Sequence, residues 1–336
     1  MKKIIILLSI IFLIGGCYDY TEIDDINIIT GIILDYVDNN YELTTEVLDN
    51  NTVKVFKTTC PSIDLCILNT SKKSNKELFI SHLKALILTQ RTVNKDIKFY
   101  DYFLRNSKSK MNFYIYYIDD ENKDKLFNNK NESMSLYLKD LLEFNIKNYS
   151  NTTKVTFTDM IQNKIENGIN NIYPNITIED NQIKVDSLIS FNKNEKIELN
   201  NFDSILYNIL INNVKSSIIN IPCDDNDFSL KINNSKVKYS LSNKLNINIK
   251  LDLKLSNYNC KYDLNKKNNI IILEKLTNKY INEKTSDLIS LSKNKNIDFI
   301  GLSRLIYKKN KTNKKLENID IDINVQSKIL SIGESR

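Results

Sequence analysis

The chain has 336 residues, with 47 Lys and Arg against 41 Asp and Glu and a single histidine. Its net charge of +6 is too small and too dispersed to draw it to nucleic acid. Six glycines leave little room for a phosphate-cradling loop, one histidine makes an ordinary zinc site hard to assemble, and the length predicts two or more domains rather than one core.

Lys2 and Lys3 precede an apolar run, Ile4 to Ile14, broken only by Ser9, and Gly15-Gly16-Cys17 follows. A bilayer-spanning helix takes about 20 apolar residues, so this run has the size of a signal-peptide core and export is expected. The small-small-Cys ending has the form of a lipobox, with Ile14 where Leu is usual. Cys17 is therefore the expected lipidation site, and residues 1–16 the signal peptide removed from it. Two acyl chains, at about 0.8 kcal/mol per buried CH₂, anchor a protein firmly where one binds only marginally. The other cysteines, Cys60, Cys66, Cys223 and Cys260, form neither a CxxC pair nor a Cys/His cluster. Cys60 and Cys66 are close enough in sequence to pair but suit buried thiols equally, so the disulfide state stays open.

Beyond the polar Tyr18 to Asp25, the β-branched run Ile26 to Leu34 and the alternation Tyr41, Leu43, Thr45, Val47 flank Asp38-Asn39-Asn40 and predict a hairpin. Leu78, Phe79, His82 and Leu83 recur at helical spacing, Ala85 to Leu88 has strand length, Val93 to Leu104 returns to helical spacing, and Met111 to Ile118 is an aromatic strand. Asp119 to Glu132 reads as an exposed charged loop. Helices are predicted over Ser135 to Lys147 and Phe157 to Glu166, the second capped by Thr158, then a hairpin over Ile176 to Leu188. The polar stretch Asn192 to Asn201 marks a domain boundary, giving domains 17–195 and 196–336. In the second half, Phe228, Leu230 and Ile232 alternate with polar residues, and Leu245 to Leu255 keeps strict period two, as in an antiparallel sheet with one buried face. Ile271 to Leu291 carries Ile272, Leu276, Tyr280 and Leu288 at helical spacing, a long amphipathic helix. A terminal strand runs from Ile319 to Val325.

No catalytic constellation emerges. A hydrolytic triad could use only His82, with no nucleophile elbow beside it, so a structural histidine is the better reading. Asp320-x-Asp322-x-Asn324 begins like a calcium loop, but Val325 and Ser331 stand where Gly and a bidentate Glu are needed. Asp224-Asp225 and Asp24-Asp25 read as solvated loop charges, and Phe113, Tyr114, Tyr116 and Tyr117 as sheet packing rather than a base-stacking platform. The chain is expected to be no enzyme and to need no metal or cofactor.

Several segments resemble, in order, the Ger(x)C spore germination lipoproteins. Cys17-Tyr18-Asp19-Tyr20-Thr21-Glu22-Ile23-Asp24-Asp25 resembles that family's Cys-Trp-Asp-x-x-Glu-Ile-(Asp/Asn) signature, with Tyr18 replacing Trp. Ile29 to Asp35 resembles its Gly-Ile-x-x-Asp strand, Ser81 to Leu88 its Gly-His-Leu-Lys segment, Tyr102-Phe103-Leu104-Arg105 its Phe-Leu-Arg helix end, and Asp298 to Leu302 and Ile319 to Val325 its C-terminal domain. Residues 191–211 depart from the pattern. The resemblance implies an α+β fold of mixed sheets flanked by helices, in about three small subdomains, the C-terminal one pairing an antiparallel sheet with the long helix. It also implies a palmitate-type anchor at Cys17 on the outer face of the inner spore membrane. The implied partners are the A-type and B-type membrane subunits of a nutrient germinant receptor, with a non-catalytic scaffold or coupling role. A solute-binding lipoprotein of an uptake system is the alternative, and would need two lobes around a cleft.

Overall fold

The structure, a computed structural model, describes residues 26–331 apart from 50–51, 95–97, 129–131, 194, 225 and 313. The β-branched run becomes β1 (Ile26–Val37), which forms a meander with β2 (Asn40–Asp49) and β3 (Thr52–Cys60). Asp38 and Asn39 turn the first hairpin with φ of 47° and 63°, the left-handed pair that matches strand twist and that short Asx side chains tolerate. β4 (Glu77–Phe79), β5 (Ala85–Leu88), β6 (Tyr114–Ile118), β7 (Ile172–Glu179), β8 (Gln182–Asn192) and β9 (Glu195–Leu199) complete the larger sheet. Its order is β3-β2-β1-β5-β6-β7-β8-β9, with β4 beside the start of β1. β1, β5, β6 and β7 run parallel at the centre, and antiparallel hairpins close both sides.

β5 and β6 are buried at every position, as central parallel strands covered on both faces must be. One face packs against α1 (Ile63–Ser74), α3 (Tyr100–Arg105) and α6 (Phe157–Ile165), burying Ile63, Cys66, Phe103, Phe113 and Phe157. α2 (Gln90–Asn94) follows β5 directly, and α4 (Lys123–Leu126) lies beyond β6. The other face packs against α5 (Met134–Asn148) through Leu138 and Leu142. Cys60 and Cys66 are free buried thiols, and burial pushes the Cys66 thiol up to about 12.

α7 (Asn201–Leu210) is buried from Ser204 to Leu210, the mark of a helix with protein on every side. It leads into a second sheet of β10 (Ser217–Cys223), β11 (Asn226–Leu241), β12 (Leu245–Tyr258) and β13 (Ile321–Ser331), in that order. α8 (Lys267–Asn294) lies across it and α9 (Leu302–Asn310) follows. One hydrophobic cluster joins Ile172, Leu188 and Ile197 of the larger sheet to α7, the second sheet and α8. Three side chains one helical turn apart on α8 fasten β13: Asn282 donates to the Ile323 carbonyl (2.8 Å), Asn278 accepts from Ser327 N–H (2.7 Å), and Glu274 accepts from Ile329 N–H (2.8 Å). A disulfide links Cys223 and Cys260, Cα to Cα 6.0 Å. Among the described residues no helix is long and apolar enough to cross a membrane.

Several expectations need correction. Leu78 and Phe79 lie in β4 and His82 and Leu83 in a turn, so the helical spacing there is incidental. The helix read over Val93 to Leu104 is two short ones, α2 and α3, and Ile97 lies outside the described residues. The cap of α6 is Thr156, which forms a capping box with Asp159. The stretch 192–201, read as a linker, contains β9, so a 195/196 division falls inside a strand. The second sheet is mixed, because β12 and β13 pair in parallel. On α8 the buried stripe is Leu273, Thr277, Ile281, Thr285 and Leu288; Leu288 is as expected, while Leu273, Thr277 and Ile281 lie one position beyond Ile272, Leu276 and Tyr280. Its threonines return their hydroxyls to carbonyls one turn back, at 2.8 and 2.7 Å, which lets polar residues line a buried face.

Candidate functional site

The carboxyl ends of the parallel strands gather charge. Asp35, near the end of β1, is 2% exposed and accepts from Tyr36 N–H (2.8 Å), Thr89 Oγ1 (2.6 Å), Arg91 Nε (3.0 Å), Arg91 Nη2 and Lys123 Nζ. Burial alone would raise its pKa, but Arg91, Lys123 and Thr89 hold the carboxyl well below the usual range. Lys123 also reaches Glu42 (2.8 Å), Lys57 bridges Glu42 and Asp124 (3.2 Å each), and Arg91 reaches Asp120 at 3.3 Å. The segment read as an exposed loop therefore supplies Lys123, 11% exposed, to a nearly buried network. Every charge at its centre is answered from within, as in a structural lock.

Two further junctions use motif residues in the same way. Gly31 lies beneath the first turn of α5, where a Cβ would meet Ser135 Oγ at 1.8 Å. The Glu46 carboxylate sits at that helix start, accepting from Thr30 Oγ1 (2.7 Å), Ser133 Oγ (2.7 Å), Met134 N–H (2.7 Å) and Ser135 N–H (3.2 Å), where negative charge suits the helix dipole. In the second half, Asp298 accepts from Gly301, Leu302 and Ser303 N–H at 2.7, 2.9 and 2.7 Å, capping α9. Gly301 takes φ +79°, a left-handed conformation that a side chain would strain. The start of α9 docks on the segment after α6: Arg304 N–H donates to Gly168 O (3.0 Å), and its guanidinium reaches Asn163 (3.1 Å) and Glu166 (2.9 Å).

Beside that contact opens a cleft of about 620 Å³ between the end of β5, the segment after α6 and the residues flanking α9. Leu88, Tyr173 and Phe191 form part of its floor, and Lys193, Lys314 and Lys315 stand on its rim. Its two carboxylates are engaged elsewhere, Glu166 with Arg304 and Lys308 (2.9 and 3.5 Å) and Asp298 with the start of α9. The Asn171 amide donates to Met160 O (3.1 Å) and its side chain is hydrogen-bonded to Tyr173. The cleft draws on five segments separated in sequence, which no local pattern connects.

The residues singled out from sequence are not brought together. Cys17, Asp24 and Asp25 lie outside the described residues, as does Asp225, while Asp224 pairs with Lys261 at 2.8 Å. His82 is exposed in a turn, its ring 5.8 Å from that of Phe79. Asp322 and Asn324 lie on the exposed face of β13. Phe113, Tyr114, Tyr116 and Tyr117 are buried, as sheet packing requires.

Residues 19–178 match the family described as the spore germination protein N-terminal domain, and residues 186–333 match spore germination B3/GerAC like, C-terminal. The chain belongs to this GerAC-like spore germination family. The two family regions meet at the β7–β8 hairpin, within the larger sheet. Among solved structures, the crystal structure of the GerBC protein resembles the chain with a TM-score of 0.57 at 13% identity, over 93% of this chain and 100% of that one. At that identity the likeness is one of fold, the mixed α/β architecture described above. No curated protein matches the chain. Of the residues that carry the family resemblance, Gly31, Asp35, Asp298 and Gly301 serve in the junctions described above, whereas His82 is exposed in its turn.

Proposed function

We propose that the chain is the C-type subunit of a nutrient germinant receptor, a non-catalytic lipoprotein that acts as a scaffold or coupling element for A-type and B-type membrane subunits. The observation that carries this reading is the pair of spore germination matches, residues 19–178 and 186–333, which together span nearly the whole chain. The employment of the motif residues in helix caps and buried ion pairs supports it, since a scaffold needs a fixed shape. Removing the gene from a strain without paralogues is expected to abolish nutrient-triggered germination while sporulation proceeds normally. Germination at the parental rate would overturn the assignment.

Within the same reading, Cys17 carries the lipid that holds the protein on the outer face of the inner spore membrane. The Cys223–Cys260 bond supports an exported setting, because such bonds persist where the surroundings are oxidising. Cys17→Ala is expected to leave an unprocessed precursor, seen as a slower gel band without fatty-acid label; label retained in the variant would contradict the anchor.

A further inference from the structure

The cleft beside α9 has no task in the receptor reading, and its lining has a definite chemical character. Its volume of about 620 Å³ falls in the range of small-molecule sites, and it occupies two favoured positions for them: a junction between domains and the carboxyl end of a parallel strand, here β5. The floor residues Leu88, Tyr173 and Phe191 are buried hydrophobic side chains that offer contact to an apolar body. Lys193, Lys314 and Lys315 are exposed at the rim, Lys315 within 4.0 Å of Glu317, while Glu166 and Asp298 are already held by Arg304, Lys308 and the N–H groups of α9. The field in the opening is therefore positive, and a concave wall focuses it.

The geometry points to a binding site for a small organic carboxylate with an apolar or aromatic body. The carboxylate faces the lysine rim and the body lies on the Leu88, Tyr173 and Phe191 floor.

The test is a thermal-shift titration of the full chain with a panel of aryl and alkyl carboxylates, phenylacetate among them, each beside its neutral amide and beside inorganic phosphate. At least one carboxylate is expected to raise the unfolding midpoint saturably, with Kd on the order of 1 mM or tighter, while its amide and phosphate do not. The triple variant Lys193→Glu/Lys314→Glu/Lys315→Glu is expected to weaken that binding about tenfold or more. All three lysines are exposed, so the variant should unfold at the parental midpoint without ligand. No binding across the panel, equal binding of amide or phosphate, or unchanged binding by the triple variant would each overturn the proposal. The receptor reading is untouched by that failure, because gene removal tests it separately.

Discussion

A side chain at position 31 would enter a space already filled, since its Cβ would lie 1.8 Å from Ser135 Oγ and 3.0 Å from Phe127 Cζ. The hydroxyl can rotate away, but the Phe127 ring is buried and has little room to retreat. Gly31→Ala is expected to lift the first turn of α5 and cost about 1–3 kcal/mol, read as a lower urea midpoint at unchanged slope. Asp35 gives the corresponding electrostatic case. Its folded carboxyl binds a proton less readily than the unfolded chain, where a carboxylate titrates near pH 4. The stability it contributes is therefore fully present above about pH 4 and drains away as the pH falls below that, towards the folded value. Asp35→Asn leaves Lys123 short of a partner, and Arg91 as well, though Arg91 keeps access to water. The expected loss is roughly 2–3 kcal/mol at neutral pH, below the cost for a wholly buried pair. Stability curves of parent and variant should converge below pH 4; parallel curves would show that Asp35 does not titrate as described.

At the scale of elements, strict alternation was the most legible signal. Leu245, Ile247, Ile249, Leu251, Leu253 and Leu255 are all buried on β12, as period two requires. The direction of pairing was not legible, because a half-buried strand shows the same alternation beside a parallel or an antiparallel neighbour. β13 returns to β12 through α8 and α9, and that long crossover is what permits parallel pairing. β4, with three residues, is too short for any period to declare itself. α8 is legible as an element and Leu288 as part of its buried face, but Thr277 and Thr285 disguise the stripe, so its first half reads one position early. The Cys223–Cys260 pair was equally hidden, for its partners lie 37 residues apart with no motif between them. Chain-entropy arithmetic for a loop of that length gives about 4 kcal/mol. Cys260→Ser, at the less buried of the two sites, is thus expected to lower stability by up to that amount under oxidising conditions and to change little once the parent is reduced. A variant as stable as the oxidised parent would remove the bond from the account.

The whole molecule behaves as one cooperative body in its contacts, because a single hydrophobic cluster runs from Ile172, Leu188 and Ile197 into the second sheet. Calorimetry is accordingly expected to show one unfolding transition; two resolved transitions would mean that the halves separate before they melt. The cleft was illegible in sequence for the same reason that it exists: assembly alone brings Leu88, Asn171, Phe191, Asp298 and Lys315 to one place. The ladder of Glu274, Asn278 and Asn282 along β13 occupies backbone groups that a foreign strand would otherwise seek. The remaining borders are guarded by other means, with Lys54 and Lys57 on β3, the brevity of β9, and Pro222 on β10. Copies crowded side by side should therefore jostle without zipping into a shared ribbon, and any lasting neighbour has to be recognised by its side chains.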